Sequence, residues 1–218
     1  MKSILVFTNG EKMGDGLIKL PLLTELKKRL PNTKIYWMTD TGATVYNNRL
    51  RNFASQYIEK IFEKAEISPF FWKKISQKYD FENMKFNYIL DTQKVVMRTM
   101  ALKRIQSDIF ISASAAGIFS NKKILKKDKK RKYYLENLLE LLDLIVPGKI
   151  ESDYKINIPE KLIKLLSQQF NRKYNYIGYA PGAGEKNKIW PLDNFINVGK
   201  YFEKKLFKIV FFLGPNEY

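Results

Sequence analysis

Short apolar runs alternate along the chain with longer segments in which hydrophobic residues recur every three or four places. Runs of the first kind are typical of strands buried on both faces, and segments of the second kind are typical of amphipathic helices. In the first part of the chain the predicted strands are 3–8, 34–38, 57–62, 86–90 and 108–112, and the predicted helices are 17–30, 42–53, 69–79, 95–105 and 133–146. This order predicts an α/β fold with a mostly parallel sheet.

Two of the predicted helices have unusual features. The 17–30 helix contains Pro21, so either this residue lies in the first turns of the helix or the helix is kinked there. The 69–79 helix is expected to place four side chains in the core: Phe70, Phe71, Trp72 and Ile75.

A second unit follows Pro147 and Gly148, which end the last helix of the first unit. After a linker at 149–158, the pattern predicts a helix at 159–171, a strand at 176–180, a helix at 192–205 and a strand at 208–213. Two strands and two helices are fewer than an α/β sheet normally contains. We therefore expect a first domain at 1–150 and the opening part of a second domain at 151–218.

The absence of cysteine and histidine from all 218 residues excludes several kinds of site. Ser-His-Asp and Cys-His nucleophiles are impossible, and so are thiolate and imidazole metal ligands. A general base has to be Asp, Glu, Lys or Tyr. We expect no cofactor and no metal. Without cysteine the chain can form no disulfide, so nothing in the sequence indicates an oxidising compartment.

The net charge of +17 favours polyanionic partners, although a lysine-rich composition would also produce it. Eight basic residues and one aspartate lie between Asn121 and Tyr134. This segment is either a solvated loop or a patch for phosphorylated glycolipid and anionic lipid headgroups. The sequence has no nucleic-acid-binding signature, so no nucleic acid partner is expected.

No apolar run is long enough for a signal peptide or approaches the ~20 residues that span a bilayer. We therefore expect a cytoplasmic protein, either free or peripheral on the cytoplasmic face of the inner membrane. Contact with that membrane would involve the basic residues from Lys122 to Lys132.

The loop after the first predicted strand contains three glycines and opens a helix. In open α/β sheets ligands bind at this edge, and the N-terminus of a helix favours anions. The candidates here are Asn9, Met13, Gly14 and Asp15. Asp15 can equally be a carboxylate that caps the helix.

Three further segments also follow predicted strands. Asp91 and Gln93 end one strand, with Lys94 and Arg98 placed to bind an anionic acceptor, although a plain βα turn is the alternative. A small-residue loop with Gly182, Ala183, Gly184 and Lys188 would suit a diphosphate, and the alternative is a surface loop. The last segment runs from Gly214 to Glu217.

Four of these segments, in this order, resemble glycosyltransferase family 9, the ADP-heptose:lipopolysaccharide heptosyltransferases. The chain opens with ILVFTNGEKMGDGLIKLPLLTELKKRLPNTKIYWMT, which resembles the family's first strand and its MGD or IGD loop. The stretch NYILDTQKVVMRTMAL resembles the "D-x-Q-G" segment, and IGYAPGAGEKNKIWPLDNF resembles "PGAG…K-x-WP…F". The end, FFLGPNE, resembles "GGPxE".

The resemblance implies a GT-B architecture, with the acceptor mainly on the first Rossmann-like domain and the nucleotide-sugar donor mainly on the second. It implies an inverting, metal-independent transfer of heptose from ADP-heptose to the lipopolysaccharide inner core, an anionic glycolipid. Asp15 then stands at the position of the general base, and Lys188 at the position of the lysine beside the donor diphosphate. Gly182, Ala183 and Gly184 line the donor loop, and Glu217 faces the nucleoside.

The sequence departs from the family pattern at several places. Lys94 replaces the glycine of "D-x-Q-G", and Arg98 stands one place later than the family's basic residue. The sequence stops before the family's "D-S/T-G-x-x-H" segment, so we expect a chain that is truncated at its C-terminus relative to the family. The alternative functions are a glycosyltransferase of this fold that uses a different ADP- or UDP-sugar, a non-catalytic remnant, and a basic module that binds RNA or a membrane surface.

Overall fold

Five apolar runs form a parallel sheet in the computed structural model, which describes residues 1–122, 133–149, 155–156, 158–183 and 186–214. The strands are β1 (Lys2–Thr8), β2 (Thr33–Thr39), β3 (Ile58–Phe62), β4 (Lys85–Asp91) and β5 (Gln106–Ser112). They pair in parallel in the order β3-β2-β1-β4-β5. The predicted strands and their parallel arrangement are therefore confirmed.

Both faces of this sheet are covered. Helices α1 (Met13–Arg29), α2 (Arg51–Ala54) and α4 (Tyr134–Asp143) contribute to one core, and α3 (Val96–Lys103) contributes to the other. Alternate residues of β1 point to opposite faces of the sheet. Ile4 and Val6 therefore pack in the first core, and Leu5 and Phe7 pack in the second. A strand buried on both faces has to be apolar throughout, which explains the continuous run.

The strand order reverses beside β1. The chain moves outward from β1 to β2 and β3, and then returns to the other side of β1 to form β4 and β5. In open α/β sheets, ligands bind outside the carboxyl ends of the two strands at such a point. The loops after β1 and β4 are therefore the ones that frame a site.

Three helix predictions need correction. Helix α1 begins at Met13, four residues before the predicted start, and it continues through Pro21. The segment 42–53 forms only a 3₁₀ turn at Val45–Asn47 and the four-residue α2. The first half of the 42–53 segment does not form an α-helix, because the Thr44 hydroxyl accepts a hydrogen bond from the Tyr46 N–H and starts a turn.

The third correction concerns 69–79, which forms an irregular loop instead of a helix. Ile75 is buried as expected, but Phe70, Phe71 and Trp72 are exposed. The loop closes through a hydrogen bond from the Ser68 N–H to the Ile75 carbonyl (2.8 Å), which a helix could not make.

The chain divides into two compact units, Met1–Ile158 and Pro159–Tyr218. The described part of the second unit contains α5 (Glu160–Gln169), β6 (Asn175–Tyr179), α6 (Leu192–Glu203) and β7 (Phe207–Phe211), with β6 and β7 paired in parallel. These four elements match the predicted ones. No helix in the described ranges is both long and apolar enough to cross a membrane.

Candidate functional site

The loop after β1 is held against the loop after β2 by their backbones. The Gly42 N–H donates to the Asn9 carbonyl (3.0 Å), and the Glu11 N–H donates to the Ala43 carbonyl (3.1 Å). Gly10 has a φ of 118°, and a Cβ there would lie 2.7 Å from the Gly42 Cα. Only glycine fits this turn, because an L side chain would meet both backbone strain and a clash.

Asp15 lies in the first turn of α1 and is exposed. At the preceding residue, Gly14, a Cβ would meet no atom within 4 Å, so this position of the first turn faces open space. Gly16, in contrast, packs tightly, since its Cβ would lie 2.3 Å from a Val45 methyl carbon. The Tyr46 hydroxyl donates to the Gly16 carbonyl (2.7 Å), which fixes this turn of the helix.

A buried ion pair lies one turn further along α1. The Lys19 ammonium donates to the Thr8 hydroxyl (2.9 Å) and to Glu11 Oε1 (3.4 Å). The Trp37 indole N–H donates to the same Glu11 oxygen (3.2 Å). Burial lowers the pKa of Lys19, and the nearby carboxylates of Glu11 and Asp15 act in the opposite direction.

Tyr134, the first residue of α4, lies near the carboxylates of both Asp15 and Glu11. Burial raises the pKa of its hydroxyl, and the negative charges of Asp15 and Glu11 raise it further. The hydroxyl donates to the Thr92 carbonyl (3.4 Å) in the loop after β4. Tyr134 therefore connects the surroundings of Asp15 with the second loop of the site.

Asp91, at the end of β4, is completely buried and surrounded by donors. The hydroxyls of Thr99 and Ser112 donate to Oδ2 (2.7 and 2.8 Å). Gln93 donates its backbone N–H to Oδ1 and its side-chain amide to Oδ2, both at 3.1 Å. Burial raises the pKa of Asp91 while these hydrogen bonds oppose the rise. The carboxylate fixes Gln93 and the start of α3, and it does not face solvent.

The two cations after β4 have different surroundings. The Arg98 guanidinium forms an ion pair with Asp40, a fully buried carboxylate that follows β2. Burial raises the pKa of Asp40, and Arg98 together with the Ile67 N–H opposes that rise. Lys94 is exposed, and its carbonyl accepts a hydrogen bond from the Ser114 hydroxyl (3.2 Å).

The second unit holds the other predicted site residues. Gly182 and Ala183 follow β6 in an irregular loop, and Lys188 is exposed at the end of a 3₁₀ turn, Lys186–Lys188. An open apolar hollow of about 560 Å³ borders this loop, and Trp190 and Phe211 are among its lining residues.

The first unit thus brings together the predicted residues of two loops, with Asn9, Met13, Gly14 and Asp15 after β1 and Asp91, Gln93, Lys94 and Arg98 after β4. Gly182, Ala183 and Lys188 lie in the second unit. Gly184, Glu217 and residues 123–132 lie outside the described residues. Within the described ranges, no three acidic side chains converge where they could hold a metal ion.

Sequence reasoning missed several polar residues of this edge: Glu11, Lys19, Asp40 and Tyr134. Two of them had a signal. Lys19 interrupts an otherwise apolar helical stretch, which indicates a buried charge with a partner. Asp40 follows a strand just as Asp91 does, so the same edge of the parallel sheet was predictable for it.

No protein-family model and no curated protein matches the sequence, whereas solved structures do. A glycosyl transferase family 9 protein from Veillonella parvula gives a TM-score of 0.63 at 20% identity, over 98% of this chain and 63% of its own. The E. coli heptosyltransferase WaaC with ADP gives 0.64 at 17% identity, over 99% and 68%. The E. coli ADP-heptose lps heptosyltransferase II gives 0.60 at 13% identity, over 97% and 64%.

These likenesses establish the fold, which is mixed α/β with a parallel sheet and GT-B-like. The fold class expected from the sequence is confirmed. The chain spans about two thirds of the length of these structures, from 63% to 68%.

Proposed function

We propose that the chain belongs to an inverting, metal-independent glycosyltransferase that transfers heptose from ADP-heptose to the lipopolysaccharide inner core. The observation that carries the proposal is an exposed carboxylate, Asp15, at the strand reversal of a GT-B-like fold. The resemblance to glycosyltransferase family 9 adds the substrates. Among the similar structures, one is a heptosyltransferase with ADP and another has ADP-2-deoxy-2-fluoro heptose.

In the proposed reaction, the oxygen of an acceptor hydroxyl attacks the anomeric carbon of the donor sugar. Asp15 accepts the proton that this hydroxyl loses. The new C–O bond forms on the face opposite to the diphosphate, whose C–O bond breaks, so the anomeric centre inverts and ADP leaves with its electron pair. A sugar hydroxyl is a poor nucleophile, and a positioned base contributes about 10²–10⁴-fold to such a step. The open space at Gly14 leaves room for the acceptor beside the carboxylate.

The buried pair beneath Asp15 would keep the first turn of α1 in place. Lys19 connects the end of β1 with α1, and Glu11 connects both with Trp37 of β2. An acceptor with acidic or phosphorylated sugars would meet Lys94 nearby, together with Asn9 and Met13. Asp91 would act indirectly by fixing Gln93, because its own oxygens are buried.

For the donor, we assign the loop at Gly182 and Ala183 and the ammonium of Lys188 to the diphosphate. Backbone N–H groups and a cation stabilise the charge that develops on a departing diphosphate. Gly184 and Glu217 keep the roles that the resemblance implies. A contact of Lys122 to Lys132 with an anionic membrane also remains a prediction.

The test compares the wild-type protein with Asp15→Asn, using ADP-heptose and a water-soluble core oligosaccharide as substrates. We expect the variant to lose about 10²–10⁴-fold in turnover while it retains its affinity for ADP. The matched control is Asp193→Asn, which neutralises another exposed carboxylate in the first turn of a helix, α6. It should melt like wild type and keep its turnover.

Equal turnover by wild type and Asp15→Asn would remove Asp15 as the base. No turnover by either protein would favour the non-catalytic remnant. A basic module for RNA or a membrane surface would bind its polyanion independently of Asp15, with an affinity that falls steeply with salt. The structural likenesses do not favour these alternatives.

A further inference from the structure

A group of large apolar side chains is exposed on the first unit, none of them assigned to the proposed reaction. Three of them are the consecutive aromatic residues of loop 68–75, where Phe71 is 84% and Trp72 is 66% exposed. Monomeric proteins rarely leave such a group in water without a use for it.

Loop 68–75 is a built structure that presents these rings. Its two ends are joined by the hydrogen bond from the Ser68 N–H to the Ile75 carbonyl, and Ile75 is buried beneath it. The Arg104 guanidinium holds both sides, because it donates to the Ser68 carbonyl (2.7 Å) and the Lys73 carbonyl (2.6 Å). At the tip, the ring of Trp72 stacks on Phe70 at 5.0 Å.

Arg104 also joins this loop to an exposed face of α3. Val96, Met97 and Met100 are all between 41% and 49% exposed. On a helix, Arg104 continues the line of Met97 and Met100, at i+7 and i+4 from them. We call these six exposed side chains, three from loop 68–75 and three from α3, the apolar surface: Phe70, Phe71, Trp72, Val96, Met97 and Met100.

Lysines lie beside the aromatic rings of the apolar surface. Residues 68–79 include Lys73, Lys74 and Lys78, and the acidic residues Glu66 and Asp80 lie just outside this segment. Residues 92–107 include four basic residues and no acidic one. Lys73 and Lys74 are exposed directly beside the aromatic rings.

We propose that the apolar surface inserts into the interface of a membrane that contains anionic lipids. Aromatic rings, Trp above all, are favoured at the boundary between headgroups and acyl chains. Lysines beside such rings gain from contact with anionic headgroups. A second copy of the chain, packed through the same surface, would bring Lys73 and Lys74 of both copies together, and nucleic acid bases would gain little from valine and methionine side chains.

This proposal depends on neither the basic segment 122–132 nor the proposed reaction. Binding can therefore be measured without sugar donor or acceptor, by sedimenting the full chain with vesicles. We compare vesicles of phosphatidylcholine alone with vesicles of phosphatidylcholine and phosphatidylglycerol. Wild type should bind the second kind, and the double variant Phe71→Ser with Trp72→Ser should bind it at least about tenfold more weakly.

Two matched variants separate the contributions. Tyr201→Ser removes an exposed aromatic side chain of α6 and should leave vesicle binding unchanged. Lys73→Glu with Lys74→Glu should weaken binding only where phosphatidylglycerol is present. All variants change exposed residues and should melt like wild type.

Insertion itself is visible by fluorescence. The tryptophans are Trp37, Trp72 and Trp190, and Trp37 is fully buried. In a Trp190→Phe background, a blue shift on vesicle binding therefore reports the movement of Trp72 out of water.

Equal binding by wild type and the Phe71→Ser, Trp72→Ser variant would overturn the proposal, and so would no binding to anionic vesicles. Binding of single-stranded RNA through Phe71 and Trp72, without vesicle binding, would replace the membrane with RNA. Turnover of a water-soluble acceptor by the same double variant should equal that of wild type. A loss of vesicle binding is thereby distinguished from a failure of the proposed reaction.

Discussion

Two aspartates at the same edge of the sheet have opposite surroundings. Asp15 is exposed in the first turn of a helix, next to open space at Gly14. Asp91 is fully buried, and its two oxygens accept four hydrogen bonds. An exposed carboxylate can exchange a proton with a substrate, whereas a buried and fully bonded one fixes the groups that bond to it. Their surroundings therefore separate a chemical role from a positioning role.

The surroundings of Asp91 predict how stability depends on pH. Burial raises its pKa above 3.8, so the folded protein binds this proton at a higher pH than the unfolded chain does. Between 3.8 and the raised value, the contribution of Asp91 to the free energy of unfolding grows as the pH falls.

Thr99→Val removes one hydrogen bond from the ionised carboxylate and should raise the pKa of Asp91 further. We expect a loss of about 1–3 kcal/mol at a pH where Asp91 is ionised, and a smaller loss as the pH falls into its protonation range. Urea unfolding at both ends of this pH range measures the difference.

The control for this prediction is Thr24→Val, in which a half-buried hydroxyl that donates to the Leu20 carbonyl is lost. That loss should be independent of pH because no carboxylate is involved. If Thr99→Val were equally destabilising at every pH, its hydroxyl would not interact with the ionised form of Asp91.

Individual site residues were predictable where they follow a strand. Asp15 and Asp91 stand out because a parallel sheet collects the carboxyl ends of its strands at one edge. The burial of Asp91 was not predictable, since it depends on Thr99 and Ser112, which the chain supplies from α3 and the end of β5. Glu11 was missed because its partner, Lys19, lies on the opposite side of a glycine-rich turn.

Among the elements, the strands were predicted well and the irregular connections poorly. The strands buried on both faces have apolar runs that leave little choice. The sequence predicts a helix at 69–79 with its aromatic residues in the core, whereas the segment forms an irregular loop that exposes them. Its conformation is fixed from outside by Arg104, which binds two of its carbonyl groups. Such a tertiary contact leaves no periodic trace in the sequence.

Helix α1 is tied to β1 and β2 by the buried Lys19–Glu11 pair. Lys19→Met should destabilise the protein by about 3–5 kcal/mol, because it leaves the buried Glu11 carboxylate without its cation. Adding Glu11→Gln should recover most of this loss, since an amide oxygen can still accept from the Trp37 indole. Thermal melting of the single and double variants measures the recovery.

The comparison variant is Lys34→Met, which removes an exposed ion pair with Glu59. Exposed pairs contribute about 0–1 kcal/mol, so this change should have little effect. A double variant as unstable as Lys19→Met would mean that the methionine itself is not accommodated. The uncompensated charge would then not be the cause.

Taken unit by unit, the chain distributes its burial unevenly. In the first unit, Ile4 to Phe7 of β1 are completely buried. In the second, none of the ten residues of α5, all of which the structure describes, is buried, and α6 buries only Gly199. Local opening requires less free energy where fewer apolar contacts have to be broken.

Native-state hydrogen exchange should therefore show two levels of protection. We expect the amides of β6 and β7 to open at a free energy lower than those of β1 and β4 by on the order of 3 kcal/mol. The matched comparison is β3, which has five residues like β6 and β7 and lies at an edge of the first sheet. Because β3 packs one buried ring, Phe62, against the core of its unit, it should exchange more slowly than β6. Equal protection of β6 and β1 would show that burial within each unit does not set its stability.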